Sequence, residues 1–110
     1  MERSGRRAAV AAYRERKSAA GIYAVRCAVT GEVWVGRSAD LAAQQNSLAF
    51  QLRHGPHNAA MRAAWADHGA ASFGFEALET APAELTPAGR TDFLKRRAAH
   101  WRAALGAAAV

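Results

Sequence analysis

The stretch Gly21-Ile22-Tyr23-Ala24-Val25-Arg26-Cys27-Ala28-Val29-Thr30-Gly31-Glu32-Val33-Trp34-Val35-Gly36 decides the fold of this chain. Two short runs rich in β-branched and aromatic residues flank a Thr-Gly pair, which is the pattern of a β-hairpin. With Thr30 and Gly31 as a two-residue loop, Val29 faces Glu32 and Cys27 faces Trp34. Tyr23, Val25, Cys27 and Trp34 then share one sheet face, because strand side chains alternate with a period of two. A three-residue loop would reverse that parity.

Downstream of the hairpin, Ser38 or Asp40 caps a helix running to about His54, and Gly55-Pro56 stops it. Leu41, Leu48 and Leu52 form its buried stripe. Asn46, Phe50 and Arg53 occupy another face, where the ring can stack on a base while the guanidinium takes a phosphate. Packing of Phe50 on an N-terminal helix is the competing reading. His57-Asn58 opens a second helix with Asn58 as N-cap and Gly69 after its end, and Met61, Ala64, Trp65 and His68 form a core stripe. Residues 72–79 alternate Phe73, Phe75 and Ala77 against Gly74, Glu76 and Leu78, a third strand.

Pro82 breaks the chain, and Thr86-Pro87 starts the last helix as N-cap and first-turn proline. Leu94, Ala98, Trp101 and Leu105 give its buried face. Arg90, Lys95, Arg96, Arg97 and Arg102 surround that stripe as a solvated cationic face, with Asp92 and Arg96 paired at i, i+4. Gly106 ends the helix, and the alanine tail after it is expected to fray. Upstream, residues 6–18 read as a helix that carries Arg6, Arg7, Arg14 and Arg16, with Gly21 as breaker. The expected organisation is a basic N-terminal helix within residues 1–19 and one domain over 20–110.

A chain of 110 residues folds as one domain that buries about 65% of its unfolded surface. Thirty of those residues are alanine, which suit helices but bury little area, so the larger apolar residues must hold the core. A formal charge of +6 and a pI near 10.7 favour a polyanionic partner through phosphate contact and counterion release. The single cysteine, Cys27, excludes an internal disulfide and reads as a small buried hydrophobe. No uncharged apolar run approaches the ~20 residues that span a bilayer, and Arg14-Glu15-Arg16-Lys17 interrupts any leader-like stretch. The expectation is a cytoplasmic protein with no membrane partner.

Gly21-Ile22-Tyr23 followed by Trp34-Val35-Gly36 resembles the paired tripeptides of the GIY-YIG nuclease family, with a degenerate second tripeptide. The order of elements after it keeps the family's order over residues 20–105. The resemblance implies an α/β domain with a small, mainly antiparallel three-stranded sheet flanked by helices. It also implies phosphodiester hydrolysis with one divalent cation, Mg²⁺ or Mn²⁺, because in-line displacement needs a positioned base, a Lewis acid and cations for the developing charge. Tyr23 matches the family's first tyrosine, a candidate general base or phosphate contact, and Trp34 stands in place of the second. His57 matches a histidine that contacts the phosphate. The family's helix arginine falls at Gln44, for which Arg37 or Arg53 would have to compensate.

The metal-holding glutamate falls at Ala98, and a methyl group cannot ligate a hard cation. Glu76, Glu79 and Asp92 are the remaining carboxylates that would have to substitute for it. The resulting expectation is nucleic-acid binding, to DNA rather than RNA, on a nuclease scaffold with weakened or lost hydrolysis. Tyr23, Trp34, Arg37 and His57 form the surviving pocket, rimmed by Asn46, Phe50, Arg53 and Asn58. An active endonuclease with relocated ligands and a protein-interaction module are the alternatives.

Overall fold

The hairpin forms, but Ala28 to Gly31 make a four-residue loop instead of a two-residue one. Tyr23 pairs with Gly36 and Val25 with Trp34. The Cys27 amide donates to the Glu32 carbonyl at 2.9 Å, and the Gly31 amide donates to the Cys27 carbonyl at 2.8 Å. The expected pairing of Cys27 with Trp34 is therefore displaced by two residues. A slip of two leaves every side chain on its expected face, since the strand period is also two.

The structure, a computed structural model, describes residues 19–110. The helix expected over residues 6–18 lies outside the described residues. Strands β1 (Gly21–Cys27) and β2 (Val33–Ser38) lead into helices α1 (Leu41–His54) and α2 (Ala59–His68). A short 3₁₀ turn (Ala70–Ser72) leads into β3 (Phe73–Thr80), followed by α3 (Pro87–Leu105) and the short strand β4 (Ala108–Ala109). The sheet order is β3-β1-β2-β4, antiparallel except for the β2/β4 pair. The caps are those expected: Asp40, Asn58 and Thr86 accept from Ala43, Met61 and Gly89 amides. No helix among the described residues is long and apolar enough to cross a membrane.

The fourth strand corrects the expected fraying of the alanine tail. Gly106 adopts φ 61°, a left-handed turn open to glycine, and sends the chain back along β2. The Val110 amide donates to the Val35 carbonyl at 3.2 Å, and Asn58 Nδ2 donates to the Ala109 carbonyl at 3.3 Å. Backbone groups of the β2 edge hold this segment. Alanine side chains have no part in that, which is why side-chain patterning was silent.

Two cores lie on opposite faces of the sheet. Tyr23, Val25, Cys27 and Trp34 pack with Leu41, Leu48, Met61 and Ala64 of α1 and α2. Ile22, Ala24 and Val35 pack with Leu94 and Ala98 of α3. Burial of each large apolar side chain contributes about 1.5–3 kcal/mol. His68, expected in the α2 core stripe, is instead exposed, and Trp65 is half-buried with its indole donating to the Leu52 carbonyl at 2.7 Å.

The β1/β3 register shifts between Ile22 and Tyr23, which leaves Leu78 as an extra residue on β3. This bulge lets Leu78 and Glu79 both meet the α3 side: Leu78 packs in its core, and Glu79 bonds to Arg97 and Trp101. Beside it, a Cβ on Gly21 would lie 2.2 Å from the Glu79 carbonyl oxygen and 2.8 Å from Leu41 Cδ1. The first obstacle is backbone and cannot rotate away. Gly21→Ala is therefore expected to destabilise the fold by about 2–3 kcal/mol, read as a lower urea midpoint with unchanged slope. An unmoved midpoint would refute the close strand approach.

Candidate nucleic-acid interface

The Tyr23 ring stacks on Phe75, with centroids 5.3 Å apart and planes 14° apart, and its hydroxyl reaches over Gly36 on the neighbouring strand. A Cβ at Gly36 would lie 2.6 Å from that hydroxyl and 2.7 Å from the ring carbon bearing it. The last glycine of the second tripeptide thus makes room for the tyrosine of the first. Only 3% of Tyr23 is exposed, yet it borders two cavities of about 380 and 390 Å³. Burial pushes its hydroxyl pKa upward, so at neutral pH it is a hydrogen-bond donor and a poor proton acceptor.

The first cavity lies between β1 and the two helices α1 and α2. Leu48, Met61 and Val25 supply apolar walls, while Gln44, Gln51 and Asn58 supply carboxamides. His57 stands at its exposed rim, and its amide donates to Gln51 Oε1 at 3.4 Å. The second cavity lies between β2 and α3, where Lys95 and Arg102 flank Ala98 and Arg37 closes the sheet side. β4 pairs with Trp34 and Val35, and Val110 follows it, so that Tyr23 and Val110 border both cavities. Neither lining contains an acidic side chain. None of Arg37, Lys95 and Arg102 forms an ion pair with an acid among the described residues.

The expected pocket residues separate. Tyr23, His57 and Asn58 meet at the first cavity, and Tyr23 and Arg37 meet at the second. Trp34 requires correction: it is 1% exposed, stacks on Phe73 at 6.1 Å and borders neither cavity. It shares the Tyr23 face but sits two residues nearer the hairpin loop, beneath the helices. Asn46, Phe50 and Arg53 are exposed on α1 and line no cavity. Phe50, 56% exposed, rests its ring against His54 at 4.5 Å. Packing of Phe50 on the N-terminal helix concerns residues outside those described.

The residues present do not fit a catalytic metal. Ala98 is 2% exposed in the α3 core and offers no oxygen. The three substitute carboxylates are engaged elsewhere: Glu76 with Arg26 at 2.9 Å, Asp92 with Arg96 at 2.8 Å, and Glu79 with Arg97 at 2.7 Å. Glu79 also accepts from the Trp101 indole at 2.9 Å. Among the described residues no group of three His, Cys, Asp or Glu side chains is placed to hold a metal ion.

Hydrogen bonds from Arg97, then Trp101, hold the Glu79 carboxyl below its ordinary value. Its folded pKa is depressed, so its stabilisation is complete above the unfolded value of about 4.3 and fades as pH falls below it. Glu79→Gln is expected to be less stable than the parent at pH 7, with the gap narrowing between about pH 4 and pH 2. Paired urea titrations at both ends of that range check it, and a gap independent of pH would remove the ionised carboxylate from the account.

Sequence reading missed Gln51, Lys95 and Arg102 as lining residues. For the two cations a signal existed: they stand three residues before and four after Ala98, hence on its side of the helix. For the Ala109 and Val110 backbone there was none.

No protein-family model matches this chain, and no curated protein does. Solved structures that resemble it include the catalytic domain of homing endonuclease I-TevI, with 24% identity over 79% of this chain and 88% of that one, TM-score 0.64. A mutant form of the catalytic domain of intron endonuclease I-TevI matches at 22% identity over 80% of this chain and 84% of that one, TM-score 0.64. These likenesses establish the architecture as GIY-YIG-like α/β, with four strands where three were expected.

Proposed function

We propose that this GIY-YIG-like domain binds nucleic acid through the groove at Tyr23 and has lost the metal-assisted cleavage associated with that scaffold. The observation that carries the reading is the groove's charge. Three cationic side chains and no acidic side chain line the cavity at Ala98, where the family pattern places an acid that holds a cation. Such a lining attracts phosphate directly and repels Mg²⁺ or Mn²⁺. Tyr23, a neutral phenol whose pKa burial pushes further up, adds a hydrogen-bond donor to the same anion. DNA is the polymer we assign, by analogy with the structural neighbours, catalytic domains of an intron or homing endonuclease.

Labelled DNA and RNA, incubated with the protein in Mg²⁺, in Mn²⁺ and in chelator, provide the test. The expected result is binding without cleavage, insensitive to chelator, with log affinity falling linearly against log salt. Cleavage abolished by chelator and by Tyr23→Phe would instead establish an active endonuclease with relocated ligands. An affinity indifferent to salt would exclude phosphate contact and favour a protein partner.

A further inference from the structure

The groove has two unlike halves, an amide-lined cavity and a cationic one, and both are bordered by Tyr23 and Val110. We infer that they seat a single unstacked nucleotide, its base in the amide cavity and its phosphate against Arg37, Lys95 and Arg102. This rests on the nucleic-acid reading and narrows it to strands whose base is free to leave the stack.

Size comes first. Each half measures close to 400 Å³, about 380 and 390 Å³, at the lower end of the range for small-ligand sites. A duplex cannot enter such a space, whereas one extruded base can.

Chemistry divides the halves in the same sense. The walls of the first, from Val25, Leu48 and Met61, suit the faces of a planar heterocycle. Its polar groups are carboxamides, which present donor and acceptor together, as a base edge requires. Two of the three are largely occupied within the protein. Asn58 accepts from the Met61 amide at 3.1 Å and donates to the Ala109 carbonyl at 3.3 Å. Gln51 accepts from the His57 amide at 3.4 Å and donates to the Ser47 hydroxyl at 3.3 Å. Gln44 borders the cavity with a carboxamide that no described residue engages, which makes it the reader of the base. An arginine there would serve a phosphate, and an amide serves a base edge.

The second half is suited to the anion. Lys95 and Arg102 approach from α3 and Arg37 from β2, around the Ala98 methyl. Tyr23 borders both halves, and the sugar-phosphate link of the nucleotide would pass it.

Equilibrium binding to the whole chain separates this from simpler occupancy. The probes are inorganic phosphate, the four deoxynucleosides, their 5′- and 3′-monophosphates, and one oligonucleotide in single-stranded and duplex form. A nucleoside monophosphate is expected to bind at least tenfold more tightly than phosphate or nucleoside alone, to differ between bases and to compete with the single strand. Gln44→Leu, or the near-isosteric Gln44→Met, should abolish the preference between bases while inorganic phosphate binding stays within twofold. Monophosphates that bind no better than phosphate, a base preference untouched by both Gln44 variants, or a duplex that binds as tightly as the single strand would each overturn the inference. Those outcomes leave salt-dependent binding of the polymer intact. Loss of salt-dependent binding to every polymer overturns the underlying reading as well.

Discussion

Trp34→Ala is expected to lower the unfolding free energy by about 3–5 kcal/mol, as is usual when a large aromatic is cut back in a packed core. The indole is 1% exposed and is held between Phe73 and the helices that cover its face. Its removal leaves a void whose walls, a paired strand and two capped helices, have little freedom to close. For a domain that is marginally stable, as most of this size are, the loss approaches the whole of the stability. Urea unfolding followed by far-ultraviolet circular dichroism measures it.

Because Trp34→Ala is expected to leave little folded protein, Trp34→Phe carries the functional half of the argument. That variant keeps most of the packing and should bind nucleic acid as the parent does, within twofold, since Trp34 borders neither cavity. A folded Trp34→Phe protein that lost tenfold in affinity would return Trp34 to the site in the role of the tyrosine it replaces.

The second large effect concerns binding. Removal of both Lys95 and Arg102 by alanine substitution is expected to weaken nucleic-acid binding about 100-fold at low salt, if each charged contact is worth about 1.5 kcal/mol. The slope of log affinity against log salt should fall in magnitude by about 1.4 to 1.8, the contribution of two phosphate neutralisations. Both side chains flank Ala98 at the second cavity and neither is tied to an acid among the described residues, so stability should change little. Fluorescence anisotropy at four salt concentrations gives both quantities.

The outer face of α1 is the internal comparison. Phe50→Ala with Arg53→Ala removes the exposed ring and cation that sequence reading placed at the rim. A smaller loss there than at Lys95 and Arg102 keeps the interface at the Tyr23 groove. The reverse order would move it to the exposed side of α1, with Phe50 as a stacking platform.

The resemblance to a nuclease scaffold carries different weight in different places. It accounts for Gly21 and Gly36 in steric terms, because one meets a backbone carbonyl and the other a tyrosine ring. The residues present supply no metal ligands beside them: Ala98 offers no oxygen, and Arg37, Lys95 and Arg102 line the cavity around it. Glu79 illustrates why the remaining acids are not substitutes. The bulge at Leu78 turns Glu79 towards α3, where Arg97 and Trp101 take the oxygen a metal would need.

By itself the sequence determined the local elements and the faces they bury. Alternation placed Tyr23, Val25 and Trp34 on one side of a hairpin, and Asp40, Asn58 and Thr86 marked the helix starts. These are short-range consequences of side-chain period and capping, which survive an error of two residues in the turn. Tertiary structure alone decided which of two residues on that shared face reaches the groove. Tyr23 lies opposite Gly36 and borders both cavities, and Trp34 lies beneath α1 and α2 and beside β4. It alone also joined amides from α1 and the α2 cap to cations from β2 and α3, and laid the alanine tail against β2 through backbone hydrogen bonds. Such juxtapositions depend on chain crossings over tens of residues and on main-chain groups common to every residue type, so no pattern of side chains records them.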